Sequence, residues 1–172
     1  MIRTLAALLL SALIAPALAR GAGSSVTGVV ARVVDGDTFW LRVHGKADKT
    51  VSAPPARPIK VRLLGIDAPE HCQAWGPESK AALEARILNR QVTLRVRSAD
   101  DYRRSLATLE VDGDDVGAWM VARGHAWSAR FHRSLGAYAA EERAARSARR
   151  GLFAQAGAVE PRAFRKAHGP CP

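Results

Sequence analysis

Apolar and polar positions along the chain fall into two periods. Residues 26–34 are mostly β-branched and apolar, and Thr38 to His44 then alternates, with Phe39, Leu41 and Val43 on one face and Trp40, Arg42 and His44 on the other. Asp35-Gly36 is the predicted turn between these two runs. A third run sets Ile59, Val61 and Leu63 against Lys60, Arg62 and Leu64, so Arg62 leaves its strand on the face away from Val61. A fourth sets Val92, Leu94 and Val96 against Thr93, Arg95 and Arg97. In the fifth, Ala107, Leu109 and Val111 alternate with Arg104, Leu106 and Thr108, which turns Arg104 away from the apolar set. Five strands are predicted.

Between and after them the period lengthens to that of a helix. Gly76-Pro77-Glu78 opens one, with Pro77 suited to a first turn, and Leu83, Ile87 and Leu88 form its inward stripe. Asp112-Gly113 reads as a second turn, and Asp114 and Asp115 as turn residues and N-cap for a helix beginning near Val116, not as a metal site. A third helix is predicted from about Ala137 to Arg150, ending at Gly151. Strands first, one helix inserted, then more strands and helices indicate an α+β class with a small barrel. Gly45 to Pro58, rich in Lys, Ala and Pro, reads as an exposed loop without assignable chemistry.

Length and composition bound the rest. A chain of 172 residues is expected to fold as one compact domain, taken as residues 20–155 with 156–172 as a C-terminal tail. Arg3, the apolar run Leu5 to Ile14 and Ala17-Leu18-Ala19 have the layout of a secretory leader, 1–19, with an apolar stretch short for a membrane span. The chain is therefore expected to be exported, to the periplasm or outside the cell, with no stable span after cleavage. The formal charge is +10, and loss of the leader removes only Arg3, so a polyanionic partner is expected, nucleic acid ahead of acidic lipid. Only two cysteines are present, Cys72 and Cys171, and neither belongs to a CxxC, so neither a zinc site nor a dithiol redox motif is indicated. Export permits them to form a disulfide that would pin the tail beside Glu70; the other reading is two thiols too far apart to meet.

The chemistry concentrates in three segments: Asp35-Gly36-Asp37-Thr38, Arg62-Leu63-Leu64-Gly65-Ile66-Asp67-Ala68-Pro69-Glu70, and Asp100-Asp101-Tyr102-Arg103-Arg104. Asp37, Asp67 and Glu70 offer the oxygens a hard divalent cation takes, and Arg62 and Arg104 the forked donors that suit phosphate oxygens. Each alone has a plainer reading. Asp35 and Asp37 make a hairpin turn, Asp67 caps a strand end, and Glu70 or a lone arginine is solvated. All of these would have to hold together.

In order and spacing the three segments resemble the staphylococcal nuclease (thermonuclease-like) family, over roughly Val26 to Phe153. The resemblance implies a five-stranded OB-fold barrel with about three packed helices, and a calcium-dependent nuclease acting on DNA or RNA to leave 3′-phosphate ends. It implies one Ca²⁺ held by Asp37, Asp67 and the Ala68 carbonyl, with Glu70 acting on the attacking water and Arg62 and Arg104 on the phosphate. Single-stranded or frayed nucleic acid is the expected substrate and a monomer the expected state.

The chain departs from that pattern at five positions. Arg103 replaces a glycine before the last arginine, Asp101 replaces a basic residue, and Ala68 replaces a threonine whose backbone carbonyl is the expected ligand. The two family tyrosines after the second helix fall at Arg130 and His132, so their roles are not carried over. Tyr102, Arg130 and Phe131 are the expected nucleic-acid contacts, Phe131 lying in the basic stretch Arg130-Phe131-His132-Arg133. Trp40 and Trp127 are expected to pack, and His71, lacking a partner histidine at ligand spacing, to stay off the metal. A catalytically silent OB module that only binds nucleic acid is the alternative function, and a barrel binding an envelope partner a third; a nuclease accounts for the acids and arginines together.

Overall fold

The computed structural model describes residues 24–44, 57–154 and 156–172. The leader expected at 1–19 and residues 45–56 of the expected loop lie outside the described residues.

The strands are β1 (Ser24–Asp35), β2 (Thr38–Val43), β3 (Ile59–Leu63), β5 (Gln91–Ala99) and β6 (Ser105–Val111), with two-residue strands β4 (Ile66–Asp67), β7 (Asp114–Asp115) and β8 (Trp127–Ser128). β1 pairs antiparallel with both β2 and β5, β2 with β3 and β5 with β6. The sheet closes through a parallel pairing of β3 with β6, in which Val61 faces Ser105 and Leu63 faces Ala107. Closure removes the sheet edges and makes the five long strands a barrel. Register shifts at Val30/Arg32 and Val33/Asp35 in β1 and at Val96/Ser98 in β5 bend those strands as a small barrel requires. The architecture is the α+β five-stranded OB-type barrel that the sequence predicts.

The alternating apolar sets meet inside it. Val30, Phe39, Leu41, Val61, Leu94 and Leu109 are buried, and helix α1 (Gly76–Ile87) adds Leu83 and Ile87, both fully buried. Burying each such side chain contributes about 2 kcal/mol. Leu88 of the expected stripe falls just past the helix, in extended conformation and half-buried. Helix α2 (Val116–Ala122) starts at Asp115, whose carboxylate accepts from the Ala118 N–H at 3.0 Å, so that acid is a cap.

The third helix is shorter than its predicted span: α3 is Ala139–Ser147. Gly136 at φ 86° and the docking of the Tyr138 N–H on Ser128 Oγ delay its start. Arg149 and Gly151, at φ 51° and 54°, end it early, and a 3₁₀ turn (Gly151–Ala154) follows. A smaller cluster of Trp127, Ala145, Leu152 and Phe153 lies under this region, so Trp127 packs as expected.

Residues 156–172, predicted as a tail, carry a fourth helix, α4 (Pro161–His168), and Cys171 is disulfide-bonded to Cys72 with 5.8 Å between Cα atoms. In the chain-entropy model, closing a loop of this 99-residue separation is worth about 4–5 kcal/mol. Among the described residues, no helix is long and apolar enough to cross a membrane.

Candidate functional site

The first Asp-Gly turn sits one residue later than the sequence suggests. After the register shift at Val33/Asp35, Asp35 pairs with Thr38, which leaves Gly36 and Asp37 as the turn. The Asp37 N–H donates to Asp35 Oδ1 at 3.1 Å, and a Cβ on Gly36 would sit 1.8 Å from Ser79 Oγ. Only glycine lets α1 approach this closely, and the approach buries Asp37 to 1% exposure.

A buried carboxylate must be satisfied, and this one is. Asp37 Oδ1 accepts from Thr38 Oγ1 at 2.8 Å and from Arg62 Nη1 at 2.7 Å, and Oδ2 accepts from the Ala68 N–H at 2.8 Å. Burial pushes its pKa up to about 6, against the pull of the Arg62 guanidinium, with Asp35 adding to the rise. Arg62 Nη2 reaches Asp67 Oδ1 at 2.8 Å, so one guanidinium bridges two carboxylates. Desolvation opposes the charge on Arg62, but Asp37 and Asp67 outweigh it and hold the group more firmly cationic.

Asp67 is placed by β4, where it pairs with Trp127 of β8. Glu70 follows Ala68-Pro69 into a tight turn closed by the Gln73 N–H on the Glu70 carbonyl at 2.9 Å and by the Glu70 N–H on Gln73 Oε1 at 3.2 Å. A Cβ on Gly76 would meet the Glu70 carbonyl oxygen at 2.1 Å, so the glycine that opens α1 also sets the position of Glu70.

Arg104 comes from a loop organised by Asp100. That carboxylate accepts the N–H groups of Tyr102 and Arg104 at 3.0 and 2.9 Å and the Arg104 guanidinium at 2.7–2.8 Å. The reversal puts Arg103 at φ 58°, the left-handed conformation for which the family pattern has glycine. Arg103 is exposed, whereas Arg104 is directed into the site with its guanidinium 5.2 Å from the centre of the exposed Tyr102 ring.

Asp37, Arg62, Glu70 and Arg104 converge on one pocket of about 400 Å³, lined also by Asp35 and Ala68, among others; Asp67 is not among the lining residues and is joined to the pocket through Arg62. The lining offers the carboxylates of Asp35, Asp37 and Glu70 and no histidine or cysteine, a hard-oxygen chemistry that fits calcium. Among the described residues no three acidic, histidine or cysteine side chains form a ready ligand cage.

Not every expected contact belongs here. Arg130, expected to face nucleic acid, pairs instead with Glu142 at 2.8 Å and with Glu160. Glu142 is 3% exposed, so its charge draws in Arg130 and Arg146 as counter-ions. Phe131 is 76% exposed, packs its edge on His132 and does not line the pocket. His71 does not line the pocket, and its Nε2 lies 3.3 Å from the Pro172 carbonyl oxygen. The pocket also holds a residue the motifs do not contain: Arg165 of α4, with Nη1 2.6 Å from Glu70 Oε1. Pro161 and Gly169 bracket α4 as starter and stopper and were the available sign of it.

Comparison with known proteins agrees with this geometry. The family model described as staphylococcal nuclease homologue matches residues 60–155. The chain belongs to that family. It is 35% identical to Protein ParB of Escherichia coli, over 96% of this chain and 91% of that one. It is 32% identical to a micrococcal nuclease of Shigella flexneri, over 81% of this chain and 80% of the relative. An uncharacterized endonuclease of Haemophilus influenzae is 31% identical, over 80% of this chain and 71% of its own length. Family membership thus sets the chain among nuclease homologues, with nucleic acid as the expected substrate class.

Proposed function

We propose that this protein is an exported, monomeric, calcium-dependent nuclease that hydrolyses phosphodiester bonds in DNA or RNA and leaves 3′-phosphate ends. The observation that carries this reading is the single pocket in which Arg62 bridges Asp37 and Asp67 while Glu70 and Arg104 face the same space. A silent binding module would need none of these five side chains so arranged. The leader layout and the Cys72–Cys171 bond support export to an oxidising compartment.

Asp37, Asp67 and the Ala68 carbonyl would hold the calcium ion, which when bound supplies fixed positive charge on the carboxylate side of the pocket. Glu70 orients a water and takes its proton at a carboxylate oxygen as the water attacks phosphorus; the P–O5′ bond breaks and the departing 5′ oxygen takes a proton from water, leaving a 3′-phosphate and a 5′-hydroxyl. Arg62 and Arg104 donate to the non-bridging oxygens as charge builds there, and their carboxylate partners keep both forks oriented before substrate arrives. The loss of either donor costs about 3 kcal/mol, or roughly 10²-fold in rate. Tyr102 would stack on an unpaired base, and its 80% exposure beside Arg104 supports that role and a preference for single strands or frayed duplex.

The test is digestion of single- and double-stranded DNA and RNA by the purified mature protein, with calcium and with excess chelator. Cleavage that needs calcium and leaves 5′-hydroxyl ends, labelled by a polynucleotide kinase without prior phosphatase, is expected. Full cleavage in chelator, or ends that require phosphatase first, contradicts the proposal.

A further inference from the structure

The pocket holds three guanidiniums, and they are not equivalent. Arg62 is 20% exposed and occupied by Asp37 and Asp67, and Arg104 is 21% exposed and held by Asp100. Arg165 is 39% exposed and makes one short contact, Nη1 to Glu70 Oε1 at 2.6 Å, with Asp67 oxygens at 3.4–3.5 Å. Desolvation opposes its charge, yet Glu70 and Asp67 hold it cationic. It is the most solvent-accessible fork in a cleft suited to a phosphodiester.

The way α4 is attached gives this residue a second property. The only buried residue of α4 is Pro161, and beneath the helix lies a cavity of about 480 Å³ lined by Trp75, Trp127, Leu152 and Phe164, among others. Apolar packing therefore contributes little to its docking. At the entry to α4, Gln73 Nε2 donates to the Val159 carbonyl at 2.6 Å and Arg130 pairs with Glu160. At the exit stands the Cys72–Cys171 bond, with the Cys72 N–H on Cys171 Sγ at 3.2 Å. Cys72 lies two residues after Glu70 and Cys171 six after Arg165, so the covalent link ties the arm to the segment that carries Glu70.

We propose that Arg165 is a third phosphate-binding residue of this pocket, held there by the Cys72–Cys171 disulfide, so that reducing this bond weakens the grip on nucleic acid. The proposal rests on reading the pocket as a phosphodiester site. When substrate enters, the guanidinium exchanges part of its contact with Glu70 for a phosphate oxygen, and that exchange also leaves Glu70 free to face water.

The test is equilibrium binding of a short single-stranded oligonucleotide in chelator, where neither calcium nor cleavage enters. Arg165→Ala should weaken binding by about ten-fold, and Arg165→Lys should restore part of it. The Cys72→Ser/Cys171→Ser variant, with its fold checked by circular dichroism, should weaken binding comparably. Adding Arg165→Ala in that background should change it less than about two-fold. If the double serine variant does not fold, wild type reduced and alkylated in its folded state takes its place. With calcium, Arg165→Ala should raise KM more than it lowers kcat. Unchanged binding by Arg165→Ala overturns the proposal, and tighter binding does so in favour of an arm that blocks the pocket. Wild-type binding after loss of the disulfide overturns the tether. A protein that binds in this Arg165-dependent way yet never cleaves would refute the nuclease reading and leave this one standing.

Discussion

Asp35-Gly36-Asp37 and Asp112-Gly113-Asp114 are the same three residues in the same kind of place, a turn between antiparallel strands, and their chemistry differs completely. In the second, Val111 pairs with Asp114, so Asp112 and Gly113 are the turn, at φ 56° and 83°. Asp112 and Asp114 stay 57% and 63% exposed and pair with Arg90 and Arg86 on the surface. In the first, a bulge moves the turn on by one residue, neither Gly36 nor Asp37 takes a positive φ, and Asp37 is buried beside α1 at the wall of the pocket. One position of register separates a solvated hairpin from a buried carboxylate fastened to Arg62. The lesson is that a short acidic motif acquires function from what packs on it. Here that is Ser79 of α1, which closes on Gly36 because no Cβ stands in the way.

The sharpest way to break this contrast is to remove one acid from each turn. Asp37→Asn should lower calcium-dependent cleavage by at least about 10²-fold and weaken calcium binding measured by titration calorimetry. Asp114→Asn should leave both within about two-fold, as surface changes away from a site do. Equal effects at the two positions would mean that burial of Asp37 carries no functional weight.

A second pair separates the adjacent arginines. Arg104→Ala should lower the cleavage rate by about 10²-fold, because its fork is directed into the pocket by Asp100. Arg103→Gly should leave the rate within a few-fold and raise stability by about 1 kcal/mol, since φ 58° suits glycine better than arginine. Kinetics and thermal melts of the two variants assign the register of this loop, and a crippled Arg103→Gly would reverse it.

The glycines of the two turns give the smallest difference. Gly36→Ala should destabilise by about 1–3 kcal/mol through overpacking, because a Cβ there meets Ser79 Oγ at 1.8 Å and the Ala68 Cβ at 2.8 Å. It should also reduce cleavage by shifting Asp37. Gly113→Ala should cost about 1 kcal/mol from its positive φ alone, with nothing within 4 Å to meet and no effect on cleavage. Denaturant melts read the first difference, and a cleavage assay the second.

Much of the fold was legible because a barrel buries one face of each strand, so Phe39, Leu41, Val61, Leu94 and Leu109 declared themselves by alternation. The parallel closure of β3 on β6 could not be read, since pairing between distant strands leaves no local pattern. The placement of Arg62 and Arg104 was readable from strand faces and motif order. The pairing of Arg130 with Glu142 could not be read, because it depends on how the buried Glu142 folds beneath it. Arg165 carries no sequence signal: it belongs to no motif, and it enters the pocket only because α4 and the Cys72–Cys171 bond bring a distant segment back to Glu70.

The central claim is that this pocket is hydrolytic, with Glu70 acting on water and not merely holding substrate. Single-turnover cleavage of a short oligonucleotide by Glu70→Gln, with affinity for the same strand measured in parallel, tests it most directly. The account predicts a rate lower by about 10²- to 10⁴-fold with affinity changed no more than a few-fold. A rate near that of wild type, or losses of rate and affinity that match, would contradict it.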